Sequence, residues 1–302
     1  MLDQYLGDVA RCSTINQFNR LHITLENVLA PAEICALIDG ARARGIQLAE
    51  PCSAWLARMD HWLRGGGRRL QDYRRHVIAG DVTLYAAPGG TGTRTGRTLV
   101  VAYTGNAFRL MMPIALLLQH CPSERYEFLV LFDRKRTFFL DGIAGIGDDL
   151  PSTIAKIDSL AKPSRYRRAI ALGTSAGGLA AIWTAVVLDF ARAVSVGGAT
   201  PVDLKSRDGM QDRETPGFNE AVRLKAQRLP EVLLVAGERH ERDNEKALTM
   251  KSMLPATTIT VPGSANHNVL ADAWGFGTLD ALLEQLLGDE VVPASAGAAP
   301  EP

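Results

Sequence analysis

The sequence predicts an α/β protein built on a mostly parallel, doubly wound sheet with an N-terminal helical extension. Three observations carry this expectation: short, near-continuously apolar runs rich in β-formers, helical patterns between successive runs, and small or turn-forming residues closing the runs. A strand covered by helices on both faces needs no polar alternation, so continuous apolar runs are its signature.

Residues 1–78 carry apolar residues at helical spacing, as in "ENVLAPAEICALIDGARARG" and "AWLARMDHWLRGGGRRLQDYRRHV", with breaks expected at Gly45 and at Gly65-Gly66-Gly67. Arg64, Arg68, Arg69, Arg74 and Arg75 make this region basic, and a solvated helix face is expected there. From residue 81 the texture changes. "DVTLYAAPGG" reads as a strand, and a Gly/Thr/Arg-rich loop at 89–97 follows. Six β-forming runs come next: "TLVVAYTG" (98–105), "YEFLVLFD" (126–133), "RAIALGTS" (168–175), "RAVSVGG" (192–198), "EVLLVAGE" (231–238) and "TTITVPGS" (257–264). Between them "NAFRLMMPIALLLQHC", "LPSTIAKIDSLAK", "GGLAAIWTAVVLDFA", "GFNEAVRLKAQRL" and "NEKALTMKSML" read as helices, and "NVLADAWGFGTLDALLEQLLG" closes the domain. The expected organisation is a helical extension at 1–78 (a cap or docking element), a core at 79–288, and a small-residue, Pro-containing tail at 289–302 expected to be disordered.

Composition narrows the function classes. With 33 Lys plus Arg against 33 Asp plus Glu, no global charge favours nucleic acid or an anionic membrane. Cys12, Cys35, Cys52 and Cys121 form no CxxC pair and have no His at metal-ligand spacing, so they are expected as small buried apolar residues, with no metal and no cofactor. The start lacks a basic segment followed by an apolar one, and the apolar stretch 110–121 is too short to span a bilayer and contains Pro113. A soluble, cytoplasmic protein without a membrane span is expected.

In open parallel sheets ligands bind beyond the carboxyl ends of the strands, which directs attention to the residues just after each run. Gly173-Thr174-Ser175-Ala176-Gly177 fits G-x-S-x-G between a strand and a helix. Small residues at 173 and 177 permit a tight turn that would push Ser175 out of the sheet end, with the N–H groups of the following helix aimed at the same place. A serine hydroxyl needs a base. Of His22, His61, His76, His120, His240 and His267, only His267 follows the last strand and precedes the closing helix, and His240 is its rival at the same end of the sheet. The imidazole in turn needs a carboxylate. Asp243, just before a helix expected near Asn244, is preferred, although Asp there also suits an N-cap, and Glu238 is second. Arg109, Arg134, Lys135 and Phe138-Phe139 follow sheet-end loops and would line the entrance.

The order Ser175, Asp243, His267 after three different parallel strands resembles the α/β-hydrolase superfamily over residues 81–288; residues 1–78 have no counterpart in it. The resemblance implies an α/β-hydrolase sheet, a Ser-His-Asp triad and an acyl-enzyme. It also implies an oxyanion hole from the Ala176 backbone N–H and a second donor in "YTGNAF", among Thr104, Gly105 and Asn106, with Thr104 and Arg109 contacting substrate. The stretch 199–230 is short and polar where many of these proteins carry a lid, which disfavours a bulky triglyceride. Three readings stay open: a serine esterase or thioesterase acting on a small acyl substrate, an acyltransferase using the same nucleophile, and a non-catalytic binding module. A homo-oligomer or a protein partner would dock through the N-terminal helices.

Overall fold

A computed structural model describes residues 1–88, 94–205 and 215–290. The tail expected to be disordered lies, past its first two residues, outside the described residues, as do parts of the loop at 89–97 and of the stretch at 199–230.

The described residues form an eight-stranded sheet: β1 Arg74–Ala79, β2 Val82–Ala86, β3 Thr98–Tyr103, β4 Tyr126–Leu131, β5 Arg168–Thr174, β6 Arg192–Val196, β7 Glu231–Gly237 and β8 Thr257–Val261. Their order is β1-β2-β4-β3-β5-β6-β7-β8. β1 pairs antiparallel with β2 and β2 antiparallel with β4; every later pairing is parallel, with Thr98 opposite both Tyr126 and Arg168. The six apolar runs thus become β3 to β8. Because strand side chains alternate between faces, Leu99, Val101 and Tyr103 enter one core layer and Val100 and Ala102 the other. The first layer is closed by Ile154 and Ile157 of α6 (Leu150–Ala161), Leu179 and Ile182 of α7 (Gly178–Val187) and Phe218 of α9 (Pro216–Leu224). Met250 of α10 (Glu241–Met253) joins them. The second layer is closed by α5 (Ile114–Gln119), α11 (Val269–Gly275) and α12 (Leu279–Leu287). A short helix, α8 (Pro201–Lys205), follows β6.

Residues 1–64 form four helices, α1 Leu2–Ala10, α2 Ile15–Val28, α3 Pro31–Ala43 and α4 Cys52–Arg64. They share a core of their own around Tyr5, Ile34, Leu37, Trp55, Met59 and Leu63, which extends to Ala115 of α5. Further ties to the sheet layer are the Tyr85 hydroxyl donating to the Val28 carbonyl (2.7 Å), Arg75 paired with Glu33 (2.9 Å), and the edge-on packing of Trp62 on Trp274.

Three expectations are corrected. The helical reading of the extension fails at Arg74–Ala79, which is an edge strand joined to β2 through Gly80-Asp81. Arg74 and His76 are exposed on it, and charge on an edge discourages pairing with other chains. The arginines there are also not merely solvated, since Arg64 pairs with Asp39 (2.6 Å) and Arg68 with Asp280. In "NAFRLMMPIALLLQHC" only Ile114–Gln119 is helical, because Pro113 precedes it and Phe108 and Met111 adopt positive φ (58° and 60°). All four cysteines are free, and Cys35, Cys52 and Cys121 are buried. Among the described residues no helix is long and apolar enough to cross a membrane.

Candidate active site

β5 ends at Thr174, and the chain passes through a single 3-10 turn, Ser175–Gly177, directly into α7. Ser175 takes φ +51°, a conformation that costs an L-residue about 1–2 kcal/mol and is held only where neighbours over-determine it. The neighbours are close. A Cβ at Gly173 would clash with the Gly177 carbonyl, and one at Gly177 with the Tyr103 carbonyl, so both glycines are required by space.

The structure brings Ser175, His267 and Asp243 into one hydrogen-bonded row. Ser175 Oγ lies 2.9 Å from His267 Nε2, and His267 Nδ1 lies 2.7 Å from Asp243 Oδ2. A carboxylate can only accept, so Nδ1 carries the proton of the neutral ring and Nε2 is the acceptor for the serine hydroxyl. Asp243 is 3% exposed. Burial raises its pKa, but the hydrogen bond and charge of His267, with Lys246 and His240 adding to them, more than offset this and hold the carboxyl below its ordinary value.

Asp243 does not precede the helix, as expected, but lies in the first turn of α10, and His240 is the cap. The Asp243 N–H donates to His240 Nδ1 (3.3 Å), while Lys246 Nζ approaches Oδ1 (3.4 Å). His240 therefore flanks the carboxylate, with Nδ1 3.1 Å from Oδ2, while the hydrogen bond to Ser175 comes from His267. Glu238 is turned elsewhere, accepting from the Gly263 N–H (2.8 Å). Of the remaining histidines, His22 is buried in the N-terminal helices, His120 bonds Asp280 (2.7 Å), and His61 and His76 are exposed.

The loop after β3 curls back on the nucleophile turn. The Thr104 N–H is taken by the Leu131 carbonyl (3.1 Å) and the Gly105 N–H by the Arg109 carbonyl (3.0 Å). Among the described residues the Asn106 backbone N–H has no acceptor, and Asn106 lines the cavity at Ser175. Thr104 is wholly buried, with its hydroxyl on the Leu131 carbonyl (3.1 Å), so the expected substrate contact there is corrected: the side chain points into the sheet. Arg109 acts through its backbone, its carbonyl also accepting from the Thr174 hydroxyl (3.3 Å), and its side chain is not on the cavity wall. Gly105 has a spacing role, since a Cβ would sit 3.2 Å from Ser175 Cβ. Ala176 is the second residue of the 3-10 turn, within its first turn, where leading N–H groups have no acceptor inside the turn.

The cavity holds about 550 Å³ and is lined by Asn106, Phe138, Ser175, Ala176, Ala199, Asp203, His240, Arg242, Asp243, Lys246 and His267. Phe138 thus reaches it, whereas Phe139 is buried edge-on against Tyr103 and Arg134 lies over Phe108. Reading the sequence missed Ala199, Asp203, Arg242 and Lys246, which no motif marks, and Gly197. At Gly197 φ is +52° and a Cβ would stand 2.8 Å from Asp243 Oδ2 and 3.0 Å from His267 Cε1. The Gly-Gly pair after β6 was the available signal.

The strand order, the five consecutive parallel pairings and the strand–turn–helix at Ser175 define the α/β-hydrolase fold. Among solved structures, the chain is similar to FphF, a fluorophosphonate-binding serine hydrolase of Staphylococcus aureus, at 13% identity over 72% of this chain and 98% of that one, with a TM-score of 0.49. It is also similar to Est1E from Butyrivibrio proteoclasticus (15% identity, 71% and 98% covered, TM-score 0.45) and to the 2,6-dihydroxy-pseudo-oxynicotine hydrolase (17%, 90% and 90%, 0.46). No family model matches the sequence, and no curated protein matches it.

Proposed function

We propose that the protein is a serine hydrolase that cleaves a small ester or thioester through an acyl-enzyme on Ser175. The observation that carries this reading is the row of Ser175 Oγ, His267 Nε2 and Asp243 Oδ2 at 2.9 and 2.7 Å, opening on the cavity. His267 Nε2 takes the serine proton as Oγ attacks the carbonyl carbon, and Asp243 stabilises the imidazolium that forms. The oxyanion is placed between the N–H groups of Ala176 and Asn106, each worth about 10²–10³ in rate. The imidazolium then protonates the leaving alcohol or thiol, and water, activated by the same nitrogen, releases the acid. The His267 side chain is 36% exposed, so the acyl-enzyme is open to water, the acceptor that hydrolysis needs.

The test is labelling with a fluorophosphonate probe and peptide mapping, with Ser175→Ala and His267→Ala as controls. One adduct on Ser175, lost in both variants, is expected. An unlabelled, folded wild type would overturn the proposal.

A further inference from the structure

His240 is not needed by the chemistry just described, yet it stands against the same carboxylate oxygen as His267. The Nδ1 atoms of His267 and His240 lie 2.7 and 3.1 Å from Asp243 Oδ2, and one ligand atom from each of the three residues falls within 4.8 Å of the others. Two imidazoles and one carboxylate, partly open to a cavity, are the donor set of a three-ligand Zn²⁺ site with a fourth position for water. Lys246 engages Oδ1, which leaves Oδ2 as the single carboxylate donor.

We propose that His240, Asp243 and His267 form an inhibitory site for a borderline transition-metal cation, with Zn²⁺ as its representative. Tetrahedral bonds of about 2.0–2.2 Å set ligand atoms about 3.3–3.6 Å apart, so His267 Nδ1 and Asp243 Oδ2, now 2.7 Å apart, must part by about 0.6–0.9 Å, while the three donor atoms already lie within 4.8 Å of one another. The His240 nitrogen that would bind is the one now accepting the weak Asp243 N–H contact, and a neutral imidazole supplies its lone pair without losing a proton. At His267 the Nδ1 proton leaves to solvent and Nε2 takes one up, so the ring stays neutral. That exchange fixes the wrong tautomer: Nε2 now donates toward Ser175 Oγ and cannot accept its proton. The tautomer alone therefore accounts for the inhibition. Two nitrogen donors select Zn²⁺, Cu²⁺ or Ni²⁺ over Mg²⁺ and Ca²⁺, which prefer oxygen. The positive charge of Lys246 nearby keeps affinity below that of a structural zinc site.

The inhibitory consequence rests on the proposed hydrolase function; the binding does not, so the two are tested separately. Calorimetric titration of ZnCl₂ into Ser175→Ala is expected to show one ion per chain at micromolar concentration, with none seen for MgCl₂. Adding His240→Asn keeps an N-cap residue on α10 and removes one ligand. It should weaken binding at least as much as the loss of an outer partner, about 10- to 100-fold. In the wild type, ZnCl₂ should block fluorophosphonate labelling and EDTA restore it, while His240→Asn, compared with its own metal-free labelling rate, needs at least about tenfold more zinc to be blocked. Absence of zinc binding to folded Ser175→Ala, or binding unchanged by His240→Asn, would overturn the site. A wild type that stays unlabelled without metal sinks the hydrolase reading and leaves the calorimetry to judge the site.

Discussion

The N-terminal helices and the carboxyl edge of the sheet each hold a histidine beside a serially bonded set of polar groups, and they use them in opposite ways. In the helices His22 is 3% exposed, stacked on Trp55 with centroids 4.5 Å apart and bonded through Nε2 to the Tyr5 hydroxyl (3.2 Å). The Trp55 indole donates in turn to Glu26 (2.8 Å), and none of the four lines the cavity at Ser175. At the sheet edge His267 is part-exposed, its partner serine is in a strained conformation, and Asn106 Oδ1 is buried with no partner among the described residues. A network closed on itself contributes stability; one that ends in a strained group facing open space has bonding capacity left for a ligand.

The largest expected effect separates the two regions outright. Ser175→Ala should lower kcat/KM on a small activated ester by about 10⁶-fold with no loss of melting temperature. Ser175→Gly should be equally inactive yet about 1 kcal/mol more stable, because glycine adopts φ +51° without the Cβ penalty. Chemical denaturation beside the ester assay checks both, and a destabilised Ser175→Gly would contradict the strain argument. Asp243→Asn comes next. An amide facing His267 Nδ1 favours the wrong tautomer, and a fall of about 10⁴ in kcat with little change in KM is expected.

Gly197→Ala should be intermediate and should strike both regions' currencies at once. The new methyl meets Asp243 and His267 and must also adopt a positive φ. We expect about 10- to 100-fold in kcat from misplacing the pair and about 1–2 kcal/mol of stability. An Ala variant with wild-type kcat would show that Gly197 serves the backbone alone.

Much of the sheet edge is legible in the sequence because its determinants are local. Apolar runs become strands, and Gly173, Ser175 and Gly177 lie within five residues whose sterics dictate the turn. The order of His267 after the last run and Asp243 after the one before it follows from parallel topology. What is not legible depends on how the loops close on themselves and on non-local contact. Nothing in the residue types of 105–109 shows that the Gly105 N–H is spent on the Arg109 carbonyl, or that Asn106 is thereby left, among the described residues, with a free N–H. The start of α10 at Glu241, which makes His240 the cap, is settled by how that loop closes, and the turn of Glu238 toward Gly263 by a neighbour 25 residues away. At Arg74–Ala79 the local pattern is ambiguous, and pairing with β2 decides it.

The buried histidine is tested by its response to pH. Burial first, and then the charge of Arg58, push the His22 pKa down to about 4 from an ordinary 6.5. Between those values only the unfolded chain binds the proton. Stability from neutral His22 is therefore complete above about pH 6.5 and is lost as pH falls toward 4, by about 3 kcal/mol at pH 4. Other groups titrate over the same range, so the informative quantity is a difference. His22→Phe keeps an aromatic ring on Trp55 and removes the titration, at the cost of leaving the Tyr5 hydroxyl without its partner. It should be less stable than the wild type at pH 7, and the gap should narrow or reverse by pH 4. Urea unfolding of both proteins at pH 7, 5.5 and 4 measures this. Parallel pH dependences would mean that His22 is protonated in the folded state and that the helices do not exclude its charge. The network around Trp55 would then no longer contrast with the one at Ser175.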